Sequence, residues 1–387
     1  TAQLSACSHT IGFINTSNIT SGNMISSEWF YGDGNTATTQ NGLNNYINTG
    51  TYSVQLVVTS NMGCKDTTVF PVTISPLPTA AFASNNVCLN TITSFTNSST
   101  VSSGFITNTN WQFGDGNQSS LTQPTHQYLN AGTYNVTLNI TTNSNCSNSI
   151  TQQVTVNPLP IPAIAVVETS GLANNDGIIC SGASATFTAS GGGTYIWSTG
   201  ATTSGITSGT AGIYTVTVTN SNGCTASASS TLTVNPLPIV TIARTDNSGT
   251  TPNDGIICAG TTATLTANGG GTYLWSTGAT TSGITSGTAG TYTVTVTNSN
   301  GCTASVSSTI TVNPLPIAAI ARTDNSSLTP NDGIICQGAM ATLTASGGGT
   351  YVWSNGATTA GITTGTAGTY SVTVTSVNGC TASTSSS

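Results

Sequence analysis

Ten cysteines, two histidines and ten carboxylates are the side chains of this 387-residue sequence with the clearest capacity for chemistry. Nucleophilic catalysis needs a His beside a Ser or Cys nucleophile. His9 and His126 belong to different repeats, so they do not form such a set together. Glycoside hydrolysis needs paired carboxylates, and two of the four in residues 1–157 lie in turn sequences. We therefore expect no catalytic residues and no enzyme activity.

The cysteines recur in pairs, one pair in each of five repeats, and each pair is predicted to form a disulfide. In the third repeat Cys180 precedes the strand that bears Phe187, and Cys224 follows the strand that bears Val216. A bond closing these 44 residues would add about 3–4 kcal/mol by loss of chain entropy. Disulfides predict an oxidising, extracellular or cell-surface setting. The predicted pairs are Cys7–Cys64, Cys88–Cys146, Cys180–Cys224, Cys258–Cys302 and Cys336–Cys380.

The carboxylates of the last three repeats fall in one loop of each repeat. Calcium prefers six to eight oxygen ligands, which two carboxylates, Asn side chains and backbone carbonyls would supply. The favoured alternative is turn chemistry, because Asn-Asp-Gly commonly precedes a strand. Zinc is not expected, since no repeat has a CxxC pair, and no other cofactor is expected. The candidate calcium loops contain Glu168, Asp176, Asp246, Asn247, Asn253, Asp254, Asp324, Asn325, Asn331 and Asp332.

The charge of the chain excludes several kinds of partner. Charged residues make up only 3% of the sequence, with three Lys and Arg in total and a net charge of −7. Three cationic side chains cannot neutralise a nucleic-acid backbone, nor do they form a basic patch for anionic lipid. No apolar run approaches the ~20 residues needed to cross a bilayer. We therefore expect no nucleic-acid binding and no membrane insertion.

Five repeats must position these residues. Pro-Leu-Pro segments separate the repeats, and proline restricts φ, so we expect short, stiff linkers. The first repeat is expected to be incomplete at its N-terminus and the fifth at its C-terminus. One Trp in each repeat is expected in the core: Trp29, Trp111, Trp197, Trp275 and Trp353. The predicted domains are residues 1–75, 79–157, 161–235, 239–313 and 317–387.

Each repeat has the pattern of β-strands. Val216 and Val218 alternate with threonines, and β-branched residues suit pleated strands. Clusters of Gly, Asn and Ser separate the predicted strands. About seven short strands in ~75–80 residues match a β-sandwich of immunoglobulin-like topology. The sequence therefore predicts an all-β protein, a tandem array of five small β-sandwich domains with one disulfide each.

The first two repeats resemble PKD domains. The second repeat contains Trp111-Gln-Phe-Gly-Asp115-Gly, then Pro124-Thr-His126-Gln-Tyr and Gly132-Thr-Tyr. The first repeat has Trp29-Phe-Tyr-Gly-Asp-Gly but departs from the second at Leu43-Asn-Asn-Tyr. The resemblance covers residues 1–157 and implies that Gly-Asp-Gly is a structural turn. It also favours a structural hydrogen-bonding role for His126.

The last three repeats resemble the Ig-like repeats of very large surface proteins of Bacteroidota, including gliding-motility adhesins. The shared residues in the fourth repeat are Cys258-x-Gly, Tyr273-x-Trp-Ser-x-Gly, Gly290-Thr-Tyr-x-Val and Asn300-Gly-Cys. This resemblance covers residues 161–387 and implies export by a type IX route. The implied partners are further repeats of the same chain and the secretion and motility machinery of the cell surface.

The resulting hypothesis is a non-catalytic extracellular stalk or fibre of an adhesin, for surface attachment or gliding. One alternative is a spacer with glycan-binding accessory modules in a secreted hydrolase. Stacking on a surface glycan needs exposed aromatic side chains. The other alternative is a self-assembling extracellular filament. The surplus aromatic residues for a glycan site are Phe30, Tyr46, Phe70 and Phe105.

Overall fold

The computed structural model describes residues 4–387, so the first three residues of the predicted first domain lie outside it. Every strand and turn of this part of the chain belongs to an all-β fold, with no helix among the described residues, which confirms the predicted fold class. It accordingly contains no helix long and apolar enough to cross a membrane. One compact unit comprises the residues up to Ala163 with 190–196 and 216–228, and a second comprises 164–189, 197–215 and 229–387.

The first domain pairs a sheet of order β1-β7-β6-β3-β4 with a two-stranded sheet, β2-β5. Alternating residues of β6 are buried, which places Val54 and Leu56 in the core beside Trp29. Its strands are β1 (Leu4–Ala6), β2 (Thr10–Phe13), β3 (Met24–Phe30), β4 (Thr36–Ala37), β5 (Gly42–Asn45), β6 (Gly50–Ser60) and β7 (Lys65–Ile74).

The second domain has sheets of order β13-β10-β8 and β12-β11-β14-β15-β9. Trp111 is fully buried against Phe82, with ring centroids 5.1 Å apart. Its strands are β8 (Phe82–Ser84), β9 (Val87–Cys88), β10 (Thr93–Asn97), β11 (Ile106–Gln112), β12 (Gln118–Ser119), β13 (Thr125–His126), β14 (Gly132–Thr142) and β15 (Ser147–Asn157).

The third domain has sheets of order β16-β18-β20 and β17-β22-β21-β19. Phe187 stacks on Tyr214 with ring centroids 4.7 Å apart, and Trp197 is buried. Its strands are β16 (Ala163–Val167), β17 (Ile178–Cys180), β18 (Ala185–Ser190), β19 (Thr194–Trp197), β20 (Gly205–Ser208), β21 (Gly212–Thr219) and β22 (Thr225–Asn235).

The fourth domain repeats this arrangement, with sheets of order β23-β25-β27 and β24-β29-β28-β26. Val294 and Val296 of its long hairpin pack with Trp275 in the core. Its strands are β23 (Thr241–Thr245), β24 (Ile256–Cys258), β25 (Ala263–Asn268), β26 (Thr272–Trp275), β27 (Gly283–Ser286), β28 (Gly290–Thr297) and β29 (Thr303–Asn313).

The fifth domain has two three-stranded sheets, β30-β31-β33 and β32-β34-β35. Residues 334–336 are not in a strand here, although the equivalent residues of the fourth domain form β24. Trp353 is again buried. The strands are β30 (Ala319–Thr323), β31 (Ala341–Ser346), β32 (Thr350–Trp353), β33 (Gly361–Thr364), β34 (Tyr370–Thr375) and β35 (Thr381–Ser386).

Candidate functional site: the disulfide-linked junctions

The two cysteines of one domain lie at opposite ends of its last strand. In the fourth domain β24 runs parallel to β29, which places Cys258 beside Asn313, the final residue of β29. Cys302 immediately precedes Thr303, where β29 begins. An 11-residue strand is about 35 Å long at its usual rise. A disulfide needs Cα atoms within about 7 Å, so these two cysteines cannot pair with each other.

The second and third domains separate their cysteines in the same way. β9 and β17 run parallel to β15 and β22, placing Cys88 beside Asn157 and Cys180 beside Asn235. The parallel first strand therefore carries the first cysteine to the end of the domain where the next linker starts.

The disulfides of the structure join consecutive domains, so the predicted pairing within each domain is wrong. In every bond the first cysteine of one domain pairs with the second cysteine of the next domain. Their Cα atoms are 5.5–5.6 Å apart. Four bonds thus close four junctions, in place of one bond in each of five domains. We number them in chain order: first (Cys7–Cys146), second (Cys88–Cys224), third (Cys180–Cys302) and fourth (Cys258–Cys380).

Cys64 and Cys336 form no disulfide within residues 4–387, and both are exposed. Cys64 is the second cysteine of the first domain, and Cys336 is the first cysteine of the fifth. The Cys7–Cys64 and Cys336–Cys380 pairs therefore do not form here, because each partner bonds to the adjacent domain instead. Four disulfides in one chain are typical of proteins that fold in an oxidising compartment outside the cytosol.

Asparagine side chains fix the Pro-Leu-Pro linkers to the turns that carry the second cysteines. Nδ2 of Asn220 donates to the carbonyl of Pro158 at 2.9 Å, and Asn298 makes the same bond to Pro236 at 3.0 Å. The carbonyl oxygen of each amide accepts the backbone N–H of the cysteine four residues later, Cys224 or Cys302. One amide thereby holds both the linker and the disulfide turn, which removes rotational freedom from the junction.

The last two junctions are also closed by direct backbone contact between glycines. Gly301, in the turn before Cys302, has a φ of +75°, and a methyl group on it would lie 2.8 Å from the backbone carbon of Gly171. Gly379 meets Gly249 in the same way, at 2.6 Å. Glycine is required at these positions both for the left-handed backbone and for the close approach. Sequence reasoning did not single out these four glycines.

The acidic loops of the last three domains organise the residues around the first cysteine. Both carboxylate oxygens of buried Glu168 accept backbone N–H groups of the same loop, from Ser170 and Asp176. Asp176 in turn accepts the N–H of Ile178. The hydroxyl of Ser170 accepts the N–H of Cys180, the third disulfide's first cysteine. The loop therefore presents both Gly171 and Cys180 to the following domain.

The fourth and fifth domains use the same loop chemistry. Asp246 and Asp324 are buried, and each accepts the N–H of a glycine nine residues later. Their other carboxylate oxygens have no partner within the described chain. Asp254 and Asp332 cap the N–H groups two residues ahead, while the amide oxygens of Asn253 and Asn331 accept the N–H of Asp246 and Asp324.

These contacts favour turn chemistry over the calcium interpretation. Residues 4–387 contain no group of three or more His, Cys, Asp or Glu side chains placed to hold a metal ion. The carboxylates of the candidate loops are instead directed at backbone N–H groups of their own loops. These loops are better described as part of the domain junctions.

The Gly-Asp-Gly turns of the first two domains hold a structural pair rather than a catalytic one. Nε2 of His126 lies 2.7 Å from Oδ2 of Asp115, and the His126 ring stacks on Phe113. Burial alone would raise the pKa of Asp115, but hydrogen bonds from His126 and Asn117 bring it below its ordinary value. In the first domain Asn44 takes the place of His126 and donates to Asp33 at 2.7 Å.

Two of the four aromatic residues suggested for a glycan site are not available at the surface. Tyr46 is fully buried, donates to the carbonyl of Tyr31, and has its pKa raised by burial to about 12. Phe70 packs against the core of the first domain. Phe30 and Phe105 remain exposed, by 41% and 63%. Core packing thus accounts for half of this set.

Known proteins resemble the first two domains most clearly. Residues 3–74 and 75–157 each match the PKD domain family. The PKD1 domain of Vibrio anguillarum Epp is 30% identical, with a TM-score of 0.21 and coverage of 22% of this chain and 98% of that one. The PKD1 domain from the Vibrio cholerae metalloprotease PrtV is 33% identical, with a TM-score of 0.20 and coverage of 21% and 98%.

A longer match spans more of the array at lower identity. The N-terminal four Ig domains of Dscam1 isoform 6.44 are 14% identical, with a TM-score of 0.19 and coverage of 79% of this chain and 97% of that one. So low a score carries no information about function. The two Vibrio domains, by contrast, are matched over nearly their whole length at 30% identity or more, in the same region as the family match. Through residues 3–157, the chain belongs to the PKD domain family.

Proposed function

We propose that this chain is a non-catalytic structural segment of a large secreted or cell-surface repeat protein. In this role it is a stiff extracellular stalk of an adhesin used for surface attachment or gliding. The observation that carries the proposal is the repeated junction, in which four consecutive pairs of domains are joined by a disulfide. A linker alone leaves neighbouring domains free to rotate, whereas a second covalent connection restricts that motion.

Other features support this role. PKD and Ig-like domains are typically non-catalytic modules, although a fold alone does not fix a function. His126 and Asp115, which could serve in acid–base chemistry, are committed to a turn. The resemblance of the last three repeats to Bacteroidota surface repeats favours export by a type IX route and attachment to motility machinery. Further repeats of the same kind are the expected neighbours.

Attachment of cells under flow tests the proposal. The variant replaces the four second cysteines of the disulfides, Cys146, Cys224, Cys302 and Cys380, by serine in the parent surface protein. We expect normal display on the cell, normal attachment without flow and detachment at lower shear than in the wild type. The control replaces Cys64 and Cys336, which form no disulfide here, and should behave like the wild type. Equal shear resistance of all three strains, at equal display, would exclude a stalk that depends on these bonds.

A further inference from the structure

The four disulfides are interlaced along the chain. The second disulfide opens at Cys88, before the first closes at Cys146. The third opens at Cys180 before the second closes, and the fourth opens at Cys258 before the third closes. Each covalent loop therefore shares residues with the next loop. Disulfides within single domains would instead have closed five separate loops.

Interlacing shortens the covalent path through the array. Between Cys7 and Cys380 the backbone runs 373 residues. The shortest covalent path crosses the first disulfide and follows the 34 residues from Cys146 to Cys180. It then crosses the third disulfide, follows the 44 residues from Cys302 back to Cys258, and crosses the fourth. This path contains only 78 residues of backbone.

We propose that the interlaced disulfides form an extension-limiting device. Tension along the array is carried by the shortest covalent path, so the remaining residues cannot be extended even when their domains unfold. This inference concerns the mechanics of the chain alone, and it stands whether or not the array carries an adhesin. Failure of the cell-attachment experiment would therefore leave it intact.

The device tolerates the loss of a bond. Without the second disulfide the shortest path is unchanged at 78 residues, because that path does not cross it. Without the third, the path follows Cys146 back to Cys88 and then Cys224 on to Cys258, which totals 92 residues. The loss of one interlaced bond thus lengthens the path by at most a small part of a domain in these two cases.

Single-molecule force extension of the full chain, held at its two ends, tests the proposal. Cys64 and Cys336 are replaced by serine in every variant to prevent disulfide exchange. At about 3.4 Å for each extended residue, the oxidised chain should reach about 270 Å between Cys7 and Cys380, and the reduced chain about 1,270 Å. Equal lengths before and after reduction would overturn the proposal. So would an oxidised length of about 430 Å, which pairing within domains would give.

Two paired variants provide the matched comparison. Cys88→Ser with Cys224→Ser removes the second disulfide, and Cys180→Ser with Cys302→Ser removes the third. We expect no change in maximal length for the former and a gain of about 50 Å for the latter. Maximal length is a property of the unfolded chain, so the result does not depend on whether a variant domain folds. A gain of several hundred ångströms for either variant would contradict interlacing.

Discussion

The same turn is stabilised by different side chains in the first two domains. Asp115 pairs with His126, whereas Asp33 accepts a hydrogen bond from Asn44 at the equivalent position. We therefore expect His126→Asn to leave the stability of the second domain nearly unchanged at neutral pH. His126→Ala removes the donor and should lower the free energy of unfolding by about 1 kcal/mol. Chemical denaturation of the three proteins measures this difference, and an Asn variant as weak as the Ala variant would contradict it.

Acid should reduce the difference between wild type and His126→Ala. The folded-state pKa of Asp115 is lower than its usual value, to which His126 contributes. A carboxyl with a depressed folded pKa adds stability that is present above its unfolded pKa of about 3.9 and is lost as pH falls through the folded pKa. The stability gap between the two proteins should therefore be widest near pH 5 and narrow toward pH 2. A gap that stays constant over this range would mean that the contact acts by packing alone.

The turns before the second cysteines are the elements that make the junctions close. Gly301 and Gly223 occupy equivalent turns with φ of +75° and +79°, but a methyl group on Gly223 would meet no atom within 4 Å. Ala at either position should cost about 1 kcal/mol for the left-handed backbone. Gly301→Ala should lose a further 1–3 kcal/mol or so, since its methyl group overlaps the backbone of Gly171. Thermal denaturation compares the two variants, and equal losses would show that the glycine contact is unimportant.

Strand patterns show which residues face the core, but they do not show which strand lies beside which. The alternation around Val294 and the position of Trp275 were sufficient to predict sandwiches with buried tryptophans. The pairing of β24 with β29 was not visible, because three residues such as Ile256–Cys258 carry no signal for a parallel neighbour. That pairing decides at which end Cys258 lies. The cysteine spacing was therefore interpreted as a loop within one domain, and the junctions were missed.

The acidic loops show the same limit for the candidate site. The sequence identified Asp246 and Asp254 as unusual, because they are charged residues in an almost uncharged repeat. Which groups they contact depends on the path of the loop, and in the structure they bind the N–H groups of Gly255 and Ile256. The contact of Gly249 with the next domain had no signal in a single repeat. Comparing the loop with the Asn-Gly-Cys turn of the following repeat was the only route to it.

Across the whole molecule, the pairing scheme can be tested by counting thiols. Two free thiols are expected when the protein is denatured without reduction, because only Cys64 and Cys336 lack a disulfide among the residues described. Pairing within domains would leave none, and a chain without disulfides would show ten. Alkylation before digestion should label these two cysteines and no others. The count thus separates three whole-chain arrangements that have the same composition and the same fold.

Mapping of disulfide-linked peptides then identifies the partners. The decisive peptide joins Cys180 to Cys302, whose Cα atoms are 5.5 Å apart although 122 residues separate them in the sequence. By chain entropy, closing a loop of this size stabilises a folded state by up to about 5 kcal/mol, and overlap with neighbouring loops lowers the sum for the four bonds. We therefore expect reduction to lower the melting temperature of domains at both sides of a junction together. Recovery of a Cys180–Cys224 peptide instead would restore the single-domain scheme and remove the covalent coupling between neighbouring domains.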